Sequence, residues 1–345
     1  MNRITLLCVC CIVLLGLLAT ATCAATYQVR QLSTGTAGPL GTSWASAINN
    51  SGCVAGAVYD EDICHAAVGN NLGLLTLLDE GFALGINGSG SAVGNAGGAA
   101  LWNPASGLSH LPLPSGASFS QAFSINDAGQ AVGECWLGTT HVSNYITIWN
   151  GAAEPVTLGE GCGIATNSAG GVVGFTKGIG GKHEAFVWTP AGGTTPLTGG
   201  LSSEANAINN SGEVAGTICD GAGTWASKWS PTGTLTLLDN LPGAISSTAY
   251  GINSSGAVVG CSDTAEGTSA VLWQPDGSIV ELSWLVGDVG GTAYAINDFG
   301  QIAGCSLDSS YNPRAVVWDP VPEPAGILAV LTGLIALVPR LKRRR

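Results

Sequence analysis

Charge is scarce in this chain and unevenly held. Only 10% of its 345 residues are Asp, Glu, Lys or Arg, and 11 are basic. Between Thr26 and Pro324 the basic residues number five, Arg30, Lys177, Lys182, Lys228 and Arg314, against all 23 acidic ones. A surface of that sign repels nucleic acid and anionic glycans unless cations bridge them. Metal and catalytic signatures are absent too. The four His, His65, His110, His141 and His183, have no ligand spacing such as HExxH. No GxSxG elbow, P-loop or DxDxDG loop occurs, and Asp60-Glu61-Asp62 reads as a solvated turn. The sequence therefore carries no enzyme signature, and no metal or cofactor is expected.

Cysteine is present without a framework. Cys8, Cys10, Cys11 and Cys23 lie in the first 25 residues, leaving seven: Cys53, Cys64, Cys135, Cys162, Cys219, Cys261 and Cys305. An odd count with no CxxC spacing argues against a full disulfide set. Cys53 with Cys64 is the best candidate pair, and the others are expected as small buried residues.

What the chain has is one phrase written seven times. An Asn is followed three residues later by Gly and seven residues later by a second Gly, at Asn49, Asn87, Asn126, Asn167, Asn209, Asn253 and Asn297. Successive Asn are 38 to 44 residues apart, a period that belongs to propellers and solenoids. The fourth and second residues before each Asn are always small, as in Ala249 and Gly251 before Asn253. Small residues at period two mark a strand face that something approaches closely. Asn-x-x-Gly then gives a tight hairpin, because Asn bonds its own backbone and Gly takes positive φ. A second strand is expected to end at the second Gly, as in Val258-Val259-Gly260. A third closes on Trp at Trp102, Trp149, Trp188, Trp229, Trp273 and Trp318, with Gly69 at that place in the first unit. A fourth follows a Pro/Gly turn.

Four short antiparallel strands per unit of about 40 residues describe a propeller blade. The seventh unit stops at Trp318-Asp319-Pro320 without its fourth strand, and Tyr27–Leu32 precedes the first unit as a strand to spare. The expected fold is all-β, a seven-bladed β-propeller closed by that N-terminal strand, because an open array would leave unpaired edges.

The ends address the protein. Arg3, the apolar stretch Ile4 to Leu18 and the small residues Ala21 to Ala25 read as a signal peptide over 1–25, too short in its apolar part to span. The repeats fill 26–320, and 321–345 forms a tail. There Val321-Pro322-Glu323-Pro324 precedes the apolar run Ala325 to Val338 and the basic cluster from Arg340. The apolar run makes a short transmembrane helix of about 21 Å, with the basic end kept inside.

That order of Pro-Glu-Pro, apolar helix and terminal arginines resembles the PEP-CTERM sorting tail of Gram-negative bacteria. The resemblance implies processing by an exosortase, after signal peptidase, in organisms that secrete exopolysaccharide. Pro322, Glu323 and Pro324 are the residues that match the sorting motif. The body resembles the extracellular HAF repeat on His183-Glu184-Ala185-Phe186-Val187-Trp188, on His65-Ala66-Ala67-Val68 and on the Ile-Asn-x-x-Gly-x-x-x-Gly core. Most units depart from it in having no His, and the family implies architecture rather than mechanism.

Residues copied seven times suit structure, since an active site is asymmetric. The Trp set is expected to pack between units rather than serve as a sugar platform. Function is expected on the variable loops joining second and third strands. These carry Trp136, His141, Tyr145, Lys177, Lys182, Asp220, Trp225, Asp263, Glu266 and Tyr311, with Arg314 just beyond. The expected protein is secreted, sorted to the cell surface or matrix, and a non-catalytic binding or scaffolding module associated with exopolysaccharide or another surface protein. It has no nucleic-acid partner. The alternative is a glycan lyase or hydrolase working on the same face, through carboxylates such as Asp220, Asp263 and Glu266.

Overall fold

The computed structural model describes residues 26–35, 41–60, 62–138 and 143–321. The signal peptide 1–25, the sorting residues Pro322, Glu323 and Pro324 with the apolar tail, and His141 lie outside the described residues. Among the described residues no helix is long and apolar enough to cross a membrane. By backbone contacts the chain divides into Val29–Asp319 and a unit gathering Met1–Gln28 with Pro320–Arg345. Of the latter only 26–28 and 320–321 are described, as the ends of two strands.

The described chain is all-β, in antiparallel strands that follow each other in sequence order. In the first unit the strands are Ser43–Ile48, Val54–Asp60, Ile63–Gly69 and Leu75–Glu80, and the same order holds over 82–110, 202–237 and 244–281. The strands from 117 to 196 form one seven-stranded sheet, making six sheets among the described residues. The third and fourth units share Val156–Thr166, whose start pairs with Tyr145–Ile148 and whose end pairs with Val172–Thr176. Gly159 and Gly161, at φ 137° and 141°, let this strand turn from one set of partners to the other without a loop. The last sheet runs Thr26–Gln31, Pro313–Val321, Ile302–Leu307, Gly290–Ile296, so the N-terminal strand occupies its outer edge. Arg30 and Asp319 fasten that edge with an ion pair at 3.1 Å.

The repeated phrase earns its conservation of spacing in two ways. Each first Gly after an Asn sits in the left-handed region, as Gly256 does at φ 81°, where a Cβ would cost about 1–2 kcal/mol. Asn253 holds the turn: its Oδ1 accepts from the backbone N–H of Ser255 and Ala257 at 3.1 and 3.0 Å. Its Nδ2 donates to the carbonyl of Asn297 in the next unit. Every Asn does this, and the donations run 49 to 87 to 126 to 167 to 209 to 253 to 297 and back to Asn49, at 2.9 to 3.3 Å. All seven are buried.

The second strand does not end at the second Gly, as the sequence led us to expect; it continues past it, over Val258–Thr264 for example. The physical reason lies across the hairpin. Each first strand carries a bulge at the residue three before Asn, as the register shift between Ala249 and Gly251 shows. The bulge pushes a carbonyl against the second Gly, and a methyl on Gly260 would overlap the Thr248 oxygen. Gly56, Gly94, Gly133, Gly174, Gly216 and Gly304 stand in the same relation to their own first strands.

Hydrophobic packing lies between neighbouring sheets rather than in one centre. Ala226, Ala249, Val258 and Trp273 form one cluster across the fifth and sixth units. Leu32, Ala45, Val54, Ala315 and Val317 form another across the first and last. The third-strand Trp reach backward. The indoles of Trp149, Trp229, Trp273 and Trp318 donate to the carbonyls of Pro112, Thr198, Asp239 and Ser283, each just beyond the fourth strand of the preceding unit. A buried Trp removes on the order of 200 Å² from water, roughly 5 kcal/mol of gross transfer, so packing is the dominant role of this set.

The seven described cysteines are free thiols. The Cys53–Cys64 pairing is ruled out by strand geometry. Cys53 adjoins Val54, which faces Gly69, whereas Cys64 faces Tyr59 five residues further on. That is about 16 Å along a strand, beyond the reach of a disulfide, which needs Cα atoms within about 7 Å.

Replacing Asn253 by Leu removes the turn acceptor and the link to the next unit together. The expected loss is about 2–4 kcal/mol in urea unfolding, and Gly260→Ala should cost more than Gly256→Ala because backbone, not a side chain, must move.

Candidate functional site

The bulge that dictates the second Gly also makes a cavity. The bulged residues are Ser46, Leu84, Phe123, Ile164, Asn206, Tyr250 and Tyr294, one from each unit, and all seven line one cavity of about 630 Å³. They are half-buried, flanked by small residues that let the strands approach. The cycle of Asn donations fixes their order around the cavity. Leu84, Phe123 and Ile164 are consecutive, and Asn206, Tyr250, Tyr294 and Ser46 complete the turn. None of the residues lining the cavity is Asp, Glu, Lys, Arg or His.

The polar members have little protein to bond. Ser46 Oγ has no side-chain partner among the described residues, and Asn206 donates Nδ2 to the Ala249 carbonyl at 2.9 Å while its Oδ1 is left over. Tyr250 and Tyr294 meet edge to face with centroids 5.6 Å apart. The Tyr294 hydroxyl lies 3.7 Å from Cys305 Sγ, a weak partner. Burial pushes the Tyr250 phenol up to about 12 and the Cys261 thiol up to about 11, and raises Tyr294 and Cys305 as well. These groups stay protonated at neutral pH, so they serve as hydrogen-bonding hydroxyls and inert thiols rather than bases or nucleophiles.

A smaller cavity of about 230 Å³ lies among the Asn turns. There Gly88, Ser168, Ser254 and Asp298, each directly after an Asn, donate N–H to the matching residue of the next turn, and Asp298 accepts from Ser254 N–H at 2.9 Å and from Asn50 Nδ2 at 2.8 Å. Burial opposes ionisation of Asp298, but these donors outweigh it and hold the carboxyl below its usual value.

The loop residues expected to bind ligand are spread out, and none of them lines the larger cavity. Several are committed to their own loops. Asp220 accepts from the N–H of Ala222 and Gly223, which lowers its pKa. Asp263 accepts from Ser246 and Thr268. Arg314 pairs with buried Asp288, which also accepts from Ser306. Trp136 stacks on Phe119, and the Tyr145 hydroxyl bonds Glu160 at 3.4 Å. Lys177 and Lys182 flank a short 3-10 turn, with Gly178 N–H donating to the Lys182 carbonyl. Trp225 pairs with Ile218 in its hairpin. Tyr311 is exposed at a loop tip with φ 64°. Glu266 lines a separate cleft of about 320 Å³ with Glu281 and Trp284.

Sequence reasoning missed the bulged residues. Their signal was visible: the one position that varies freely between two invariably small ones. It also missed Ser43, Ser120, Ser203 and Ser247, six residues before their Asn, whose hydroxyls accept from the third-strand N–H of Ala315, Ala99, Ala185 and Ala226 in the preceding unit.

The raised phenols and thiols give stability a sign with pH. A group whose folded pKa is raised keeps its proton longer folded than unfolded, so its contribution is complete below the unfolded pKa and is lost as pH climbs through the folded one. Stability should fall between about pH 9 and 12, and Tyr250→Phe should flatten that slope in urea unfolding.

No protein-family model matches the chain, and no curated protein is similar to it. Solved structures are similar in fold. A streptogramin B lyase matches with TM-score 0.56 and 11% identity over 86% of this chain and 98% of its own. A catalytically inactive virginiamycin B lyase from Staphylococcus aureus, with quinupristin, matches with TM-score 0.56 and 11% identity over 86% of this chain and 100% of its own. A puromycin hydrolase matches with TM-score 0.56 and 12% identity over 78% of this chain, which spans 50% of that protein. The fold is thus of β-propeller type.

Proposed function

We propose that this protein is an exported binding module built as a closed, seven-bladed propeller, holding its ligand in the cavity formed by the bulged residues. Three observations support the ring. The Asn donations return to their start, the N-terminal strand borders the last sheet, and the first unit packs on the last. Six sheets correspond to seven blades because the third and fourth share one continuous strand. On this reading the central channel is the cavity, and the N-terminal strand completes the last blade.

One observation carries binding over structure alone. Seven equivalent positions, framed by residues kept small in every unit, hold Ser, Leu, Phe, Ile, Asn and two Tyr around a cavity of about 630 Å³. A scaffold needs no such variety at its axis, whereas recognition needs an asymmetric wall. The signal peptide and PEP-CTERM-like tail support export through signal peptidase and exosortase, with an exopolysaccharide matrix as the setting. The module acts there without catalysis.

The alternative, a glycan lyase or hydrolase, draws on Glu266 and Glu281 lining one cleft beside Trp284. Two carboxylates flanking a sugar bond are the usual hydrolytic pair. The lyases and hydrolase of similar fold add nothing to this, since fold does not carry chemistry.

Incubating the exported protein with the host's own exopolysaccharide separates the readings. Retention of intact polymer, unchanged in a variant with Glu266→Gln and Glu281→Gln, is the expected result. Release of new reducing or unsaturated ends that the double variant abolishes would replace binding with catalysis.

A further inference from the structure

The order of residues around the cavity carries the chemical class of its occupant. This rests on the binding reading above. Leu84, Phe123 and Ile164, from the second, third and fourth units, make an apolar arc, in which the one polar lining side chain, Ser124, already accepts from Thr166 N–H at 3.4 Å. At the bulged positions of the fifth, sixth, seventh and first units stand Asn206, Tyr250, Tyr294 and Ser46, which bring amide and hydroxyl groups to the other arc among apolar neighbours such as Ile252 and Ile296. The cyclic order is that of the Asn donations, so the partition is a property of the folded ring and not of the linear sequence.

We infer that the cavity takes a small, uncharged amphiphile, with its apolar part against Leu84, Phe123 and Ile164 and its hydroxyl-bearing part against Asn206, Tyr250, Tyr294 and Ser46.

Four features argue for that description. No charged side chain lines the cavity, although 23 acidic residues occupy the rest of the chain. An ion entering would lose its hydration with no counter-charge to replace it. On the polar arc, Ser46 Oγ and Asn206 Oδ1 are without side-chain partners among the described residues, and Tyr294 has only a thiol at 3.7 Å. Ligand hydroxyls supply better ones, as both donors and acceptors. The phenols remain neutral far above physiological pH, pushed up by burial. On the apolar arc there is no polar side chain among the bulged residues, so a wholly polar ligand leaves part of its own surface unsatisfied there. A volume of about 630 Å³ suits a molecule of one or two rings or a ring with a short chain.

The test is calorimetric titration of the exported protein with four probes: octyl β-glucoside below its micelle concentration, octanoate, hexanol and glucose. Octyl β-glucoside should bind most tightly, with octanoate weaker by about tenfold or more for want of a counter-charge. Tyr294→Phe, which removes only a hydroxyl, should weaken the glucoside about fivefold and leave hexanol nearly unaffected. Leu84→Asn should weaken both. Thermal unfolding of each variant controls for folding, and Tyr294→Phe keeps the packing intact.

Octanoate or glucose binding as tightly as the glucoside, and sensitive to Tyr294→Phe, would overturn the amphiphile and leave the cavity a binding site. Glucoside binding indifferent to both substitutions would place the probe elsewhere, on the apolar tail for example, and would also overturn it. Failure of all four probes to bind at millimolar concentration would overturn the amphiphile, while retention of intact polymer decides the binding reading separately.

Discussion

The structure depends on what one asparagine side chain does seven times. A carboxamide is the only side chain that offers an acceptor with two lone pairs and two donors on one planar group. Its oxygen closes the hairpin that follows, and its nitrogen reaches the carbonyl of the next Asn. Local turn and neighbour contact are thereby set by one residue, and neither requires a separate interaction. Aspartate has no donor for the neighbour, and serine is too short to serve both. Because these amides are buried, each bond lost leaves polar groups without water to replace it.

The close approach that this network enforces has a further consequence. First strands held so near one another must carry small residues, and they relieve the crowding by bulging at one position. The bulge presses a carbonyl on the facing strand, which is why glycine stands there in every unit. It also turns out a single side chain per unit, free of the size restriction on either side. The scaffold's strictest sterics thus create its one freely variable interior position. Bulges recur where a sheet must re-aim a side chain, and here all seven are aimed at the same space.

Charge is distributed to match. Acidic residues lie both in turns and along strands, and backbone N–H groups or hydroxyls engage several of them, as with Asp220, Asp263 and Asp308. The few basic residues of the body are mostly spent on particular carboxylates: Arg30 on Asp319, Lys228 on Glu213, Arg314 on Asp288. The cavity stays uncharged. An ion entering that cavity would lose hydration with no counter-charge to replace it.

The sequence by itself determined the repeat, its strands, the Asn turn and the outer position of the N-terminal strand, because each follows from local chemistry at fixed spacing. Period-two small residues, a glycine at positive φ and a Trp at the end of a strand mean the same thing in any context. The second Gly was legible as necessary but misread as a strand end, since its partner is a carbonyl on another strand. Arg314, Asp220 and Asp263 read as ligand-binding candidates at the variable loops, and only the folded chain showed their partners. The cavity was decided by tertiary structure alone. Ser46 and Tyr294 are 248 residues apart in sequence and neighbours in the cycle, and the division into apolar and polar arcs exists only once the first unit meets the last.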